Sequence, residues 1–339
     1  MTRRWWRCAA LIGAVLLFAA CNSATGGTGN TGNKVTVATQ PSSTGFPLWL
    51  ADRLGYYTEA GLDVDLVYFP SGAPLVEAGA GGAWDAGFMG APPGLTAAEK
   101  WKMVPAGVNT EEGRTLALWV RRADLNGTTP TEALRGKDIL VKTNSTAHYV
   151  LLSCLQKLNL AGEVHLVPIE TNAIPSAFGG GRGGGAMTWP PFDAGFEGNP
   201  DYVRVCDGDM AGTPVYDFIG LTREFVQKRP QQADDFLRAA FRANAWIPEH
   251  RDQAADLLIE YYTTQGITID PKQAALQIDK VEYLSLPGSI ELYRSRLGTD
   301  LENLAETFVE LGAYQSTPDI SAAVSSGLAA AERAAAGPR

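Results

Sequence analysis

LVEAGAGGAWDAGFMGAPP (residues 75–93) and IPSAFGGGRGGGAMTWPP (residues 174–191) share one layout at two places in the chain. Each reads as an apolar helix, a glycine turn, a short apolar strand and a closing proline pair. Glycine lets a helix stop abruptly so that the chain can turn back into a sheet. The strand then carries Gly90-Ala91-Pro92, or Trp189-Pro190-Pro191, at its C-terminal end, which is where open parallel α/β sheets bind ligands. The glycine-rich part of the second segment is no linker, because it runs straight into Trp189 and two prolines. Nor is it a phosphate loop of the Walker type, which needs Gly-Lys-Ser/Thr followed by a helix.

Around the first segment, short apolar strands alternate with amphipathic helices: KVTVATQ, FPLWLADRLGYY, LDVDLVYF, PLVEAGA, WDAGFMG, GLTAAEKW and MVPAGVN. Around the second, KDILVKT, STAHYVLLSCLQKL, EVHLVPI, AIPSAF, GAMTW and YVRVC repeat the rhythm. This is the pattern of βαβ units in a mostly parallel sheet. The strands LALWVRR (116–122) and VYDFIGL (215–221) flank the second set, so one α/β lobe is inserted into another. A chain of 339 residues suits two such lobes. The expected division is 34–118 with 217–330 for the first lobe and 119–216 for the second. Beyond Leu221 the pattern turns helical, apart from the short strand VEYLSL (281–286), and 331–339 read as a tail.

The N-terminus is set apart from the fold. Arg3, Arg4 and Arg7 precede an apolar run from Cys8 to Ala20 that is too short to span a bilayer, so residues 1–20 read as an export signal. Its end, Leu17-Phe18-Ala19-Ala20-Cys21, resembles the lipobox of bacterial lipoproteins and makes Cys21 the lipidation site. The Arg3-Arg4 pair leaves both the general and the twin-arginine routes open. Residues 21–33 are rich in Gly, Thr and Asn without charge; as a coil they would reach on the order of 20 Å. Without the three leader arginines, 25 basic residues face 37 acidic ones. That balance excludes nucleic acid as a partner. Cys154 and Cys206 either form a disulfide in the oxidising compartment or are two small buried residues.

Four pieces resemble the nitrate/sulfonate/taurine group of substrate-binding proteins of ABC importers: VATQPSSTGFPLWLADRLGYYTEAGLDVDLV, WDAGFMGAPP, TNSTAHYVLLSCLQKLNL and AMTWPPF. The resemblance runs from Lys34 to about Phe241. It departs from the group's pattern where Gly184-Gly185 stand in the second lobe for the Asp85-Ala86 of the first. It implies an α/β, two-lobed type II periplasmic binding protein fold with a cleft between the lobes and a helical C-terminal part. It also implies a monomer that is exported and lipid-anchored on the outer face of the cell membrane, or periplasmic. Such a protein captures a small-molecule ligand and hands it to an ABC permease and its ATPase, with no catalysis, cofactor or metal.

The expected ligand contacts lie on both rims. The first lobe offers Ser42, Ser43, Thr44 and Phe46 after the first strand, with Gly90 and Ala91 for close backbone approach. The second offers Thr143, Asn144, Ser145, Thr146, His148 and Trp189. Asn144 or Ser145 would cap the helix that follows, leaving free N–H groups and the positive end of its dipole toward the cleft, an anion site. This favours an organic anion such as a sulfonate or taurine. Trp189 with Phe46 would instead suit a pyrimidine or another flat ring, and Trp49 reads as core. Glu111 and Asp217 are candidates to meet a ligand amine, and the strands 116–122 and 215–221 are the natural hinges. A different class, an extracytoplasmic enzyme using Ser145 and His148, would need a third acid and an oxyanion site. The chain has no Gly-x-Ser-x-Gly elbow, and its three histidines are scattered.

Overall fold

The computed structural model describes residues 32–310, 312 and 314–337. The export signal, Cys21 and the tether up to residue 31 lie outside the described residues. The rest of the chain builds two sheets. In the first, β1 (Lys34–Thr39), β2 (Asp63–Tyr68), β3 (Ala86–Gly90) and β4 (Val104–Glu111) are joined by two strands from the later chain, β10 (Tyr216–Leu221) and β11 (Glu282–Tyr283), in the order β11-β4-β10-β3-β1-β2. In the second, β5 (Ala117–Arg121), β6 (Asp138–Val141), β7 (His165–Pro168), β8 (Gly185–Thr188) and β9 (Tyr202–Asp207) lie in the order β7-β6-β8-β5-β9.

Each sheet is parallel except where the chain arrives from the other one and at the short edge strand β11, which runs antiparallel to β4. β10 runs antiparallel to both β3 and β4, and β5 runs antiparallel to both β8 and β9. Strands that leave one sheet at its C-terminal edge and enter the next at the same edge must run against their neighbours. The C-terminal edges of the two sheets therefore face each other. The strands 116–122 and 215–221, expected as the hinges, each stay within one sheet. β5 pairs only within the second sheet and β10 only within the first. The change of sheet falls at 112–116 and again at 208–215. These two crossovers touch: Gly208 N–H donates to Gly113 O at 2.8 Å and Glu112 N–H to Val215 O at 3.0 Å. A Cβ on Gly208 would lie 2.8 Å from Gly113 Cα, so only glycine permits this approach.

The C-terminal helices clothe the first sheet. The helix Pro230–Glu249 buries Phe236, Leu237, Ala240 and Phe241 in one core with Phe46, Leu48 and Tyr57. The helix Leu297–Glu310 buries Leu301, Leu304 and Phe308 in a second core. The expected tail at 331–339 is corrected in its first part: Ile320–Ala335 is one helix, with Ala331 and Ala334 fully buried. Its small residues let it lie close on β4, where a Cβ on Gly327 would strike Pro105 O and Tyr293. Arg333 pairs with Asp234 at 3.0 Å and fixes its end.

Cys154 and Cys206 are bridged, tying the helix Thr146–Lys157 to the end of β9 just before the second crossover. Replacing both with alanine frees a separation of 52 residues and is expected to cost about 2–4 kcal/mol of unfolding free energy. Urea unfolding followed by circular dichroism checks this, and an unchanged midpoint would contradict it.

Candidate functional site: a cleft between facing sheet edges

One cavity opens where the two C-terminal edges meet. From the first lobe it is lined by Gln40, Ser42 and Thr44, by Ser71-Gly72-Ala73, and by Phe88, Gly90 and Pro93. From the second come Lys142, Asn144, Ser145, Thr146 and Trp189, while Glu112 and Asp217 sit beside the crossovers. Its volume is about 40 Å³.

Local chemistry fixes each wall. The loop after β1 folds on itself: Ser42 Oγ accepts from Gly45 N–H at 3.0 Å and lies 3.2 Å from Thr44 Oγ1. Gly45 is required because a Cβ there would lie 2.5 Å from Gln40 O. Tyrosines from the C-terminal part brace the loop, Tyr261 donating to Gln40 O at 2.7 Å and Tyr283 to Ser43 O at 3.0 Å. In the second lobe Asn144 adopts a left-handed backbone (φ 57°). Ser145 then caps the helix Thr146–Lys157, its Oγ accepting from His148 N–H at 3.2 Å and donating to Lys142 O at 2.7 Å. The helix Gly72–Ala80 starts at the opposite wall. Its N-cap, Ser71, makes no capping bond. The buried Ser71 hydroxyl has no hydrogen-bond partner among the described residues. Two helices thus begin at one space from opposite lobes, the Ser145 end capped by its own side chain and the Ser71 end not.

The acidic side lies at the pivot. Glu112 and Asp217 are almost fully buried, at 6% and 2% exposure, and their carboxyls are within hydrogen-bond reach of each other. Burial pushes both well above the ordinary carboxylate range, and the Asp217 charge pushes Glu112 further. Thr110 Oγ1 donates to Asp217 at 2.8 Å and Thr115 Oγ1 to Glu112 at 3.0 Å, partly offsetting the burial. Lys142, on the opposite wall, is paired with Glu170 at 2.6 Å.

Of the residues expected from the sequence, Ser42, Thr44, Gly90, Asn144, Ser145, Thr146, Trp189 and Asp217 are brought together here. Five are not. Ser43 alternates away from its neighbours and is buried against Tyr283. Phe46 is fully buried in the first-lobe core, its ring 5.9 Å from Trp49 and 5.8 Å from Tyr261. Ala91 is fully buried in the core beneath β3, and Thr143 lies off the cavity. His148 turns its ring onto Phe308 at 5.6 Å, and its Nδ1 accepts from Asn144 N–H at 3.2 Å. Ser145 and His148 therefore form no nucleophile–base pair, since the serine hydroxyl is committed to backbone groups. Glu111, the neighbour of Glu112, points outward to Arg296 at 2.9 Å. Gln40, Ser71 and Glu112 were not anticipated. A serine between a strand and a helix was the available sign for Ser71.

The sequence profile of the NMT1-like family matches residues 29–260. The chain belongs to the NMT1-like family. A relative in sequence is the taurine-binding periplasmic protein of Escherichia coli strain K12, 32% identical over 216 residues. The match covers 62% of this chain and 65% of that protein, just under two thirds of its length. In fold, the chain matches the periplasmic aliphatic sulphonate binding protein of Escherichia coli (TM-score 0.67, 19% identity, 86% of this chain and 91% of that one). It also matches the periplasmic nitrate-binding protein of Synechocystis PCC 6803 (TM-score 0.69, 12% identity, 90% and 88%). The family member described here thus has the two-lobed α/β periplasmic binding protein fold expected from its sequence.

The lobes touch across the cavity at Gly90 and Thr146. A Cβ at position 90 would lie 2.6 Å from Thr146 Cγ2, an overlap of the kind that costs about 1–3 kcal/mol if nothing moves. Gly90→Ala is expected to keep the lobes from reaching this contact, so that with ligand bound its radius of gyration in small-angle scattering stays above that of the ligand-bound wild type, with helix content unchanged. A radius equal to that of the ligand-bound wild type would contradict the contact.

Proposed function

We propose that this chain is the extracytoplasmic solute-binding component of an ABC importer, tethered through lipid at Cys21. Its two lobes close on a small organic anion of the sulfonate class and deliver it to a permease and its ATPase. The observation that carries the reading is the convergence of two helix N-termini, at Ser71 and Ser145, on one cavity. N–H groups aimed from both lobes favour an anion that bridges them, so the anion itself holds the cleft shut. Ser71 Oγ, buried and without a partner among the described residues, is the kind of group a bound anion satisfies. Phe88, Pro93 and Trp189 supply an apolar wall for a short carbon chain. The 32% identity to a taurine-binding protein supports the same class. The flat-ring alternative loses one of its two aromatic faces, because Phe46 is in the core.

Isothermal titration of the mature protein with taurine, isethionate, nitrate and uracil tests this. The sulfonates are expected to bind, and preferential binding of uracil would overturn the reading. Ser71→Ala is expected to weaken sulfonate binding by roughly tenfold or more, the worth of a hydrogen bond to a charged group at about 1.5–3 kcal/mol. It should leave the melting temperature unchanged, because the hydroxyl makes no bond among the described residues.

A further inference from the structure

We propose that Glu112 and Asp217 share one proton while the cleft is empty and exchange it for a cationic group on the solute, so that capture releases a proton and selects short zwitterions. The inference rests on reading the cleft as the solute site, and names the second end of what that site takes.

The geometry is that of an uncompensated acid pair at the pivot. Asp217 lies in β10 opposite Thr110 of β4, and Glu112 directly follows the end of β4. The strongest influences on the two carboxyls are their burial, each other and the hydroxyls of Thr44, Thr110, Thr115 and Thr146; no lysine or arginine is among them. Of the charged groups nearby, Lys142 is held by Glu170 and Glu111 by Arg296. The Tyr283 hydroxyl, which also senses Glu112, donates to Ser43 O. Two buried carboxylates this close cannot both ionise without a partner, so the empty pair keeps one proton. An independent mark of a ligand in the same space is Ser71, only 4% exposed, lining the cavity with no partner for its hydroxyl among the described residues. A solute whose acid meets the Ser71 and Ser145 helix ends has its far end toward the pair.

The exchange balances. A pair holding one proton and one negative charge takes up an R–NH₃⁺ group, the shared proton leaves to solvent, and two carboxylates remain around the ammonium. The empty pair binds more protons than the occupied one, so raising the pH favours the occupied form. Affinity for an ammonium-bearing solute should rise by about tenfold per pH unit until the empty pair has lost its proton, a loss that burial and the neighbouring Asp217 charge push well above the ordinary carboxylate range. Because Glu112 adjoins Gly113, whose carbonyl is bonded to Gly208 N–H, the cation is gathered where the lobes pivot.

The test is calorimetry of the mature protein at one pH in phosphate and in Tris, whose ionisation heats differ, with taurine and with isethionate, which replaces the ammonium by a hydroxyl. Taurine is expected to release about one proton per molecule bound and to bind about tenfold more tightly per unit of rising pH; isethionate should do neither. Glu112→Gln and, separately, Asp217→Asn should abolish the release and collapse the taurine-to-isethionate affinity ratio. Taurine binding without proton release, or with an unchanged ratio in both variants, overturns the proposal. If neither sulfonate binds, the sulfonate reading fails. The cation site is then judged by carboxyl ¹³C NMR of the ligand-free protein with ethylammonium. A carboxyl titration above the ordinary carboxylate range that ethylammonium moves to lower pH supports the proposal, and an unmoved or absent one overturns it.

Discussion

At the centre of the molecule two crossover segments lie in contact, with Gly208 N–H bonded to Gly113 O and too little room between them for a side chain. Everything that can bind depends on this contact. The crossovers that it joins bring β5 and β10 in against their neighbours, which turns the C-terminal edges of both sheets toward one another. The contact also confines relative movement of the lobes to two short, bonded segments, the arrangement expected of a hinge. The Cys154–Cys206 bridge stiffens one side of it, fastening the Ser145 helix to the strand that leads into the second crossover.

The polarity of the cleft follows from the same topology. Helices begin where parallel strands end, so facing C-terminal edges bring helix N-termini together and make the walls electropositive. The opposite character comes from beside the crossovers, where Glu112 follows the end of β4 and Asp217 stands near the start of β10. A small solute held between walls and pivot touches both lobes and the hinge at once. Binding and closure are then one event, and their coupling is a matter of charge placed where motion occurs.

The order of strands and helices was legible because the apolar runs alternate with amphipathic stretches, and the repeated glycine-turn layout marked β3 and β8 as equivalent strands. Ser42, Thr44, Trp189 and the 144–146 turn were legible for the same reason, since they follow strand ends. Individual directions were not. Ser43 and Phe46 lie in a loop and a helix start whose side-chain phase is set by Gly45 and by packing against Tyr261 and Tyr283, contacts more than two hundred residues away in sequence. His148 was drawn to Phe308 of a C-terminal helix. Glu111 and Glu112 are adjacent and chemically alike; which one faces inward is decided by the register of β4 against β10 and by Arg296. The reversed strands could not be read from alternation at all, because a strand's direction leaves no trace in its own composition.

The central claim, that a solute between the facing edges draws the lobes together about the Gly113–Gly208 contact, is tested most directly by the distance between one spin label on each lobe. Glu77 and Lys157, both exposed and helical, are suitable positions. Pulsed electron resonance should give a broad, longer distance distribution for the empty protein that collapses to one shorter distance at saturating taurine. A single distance that taurine leaves unmoved would contradict the account.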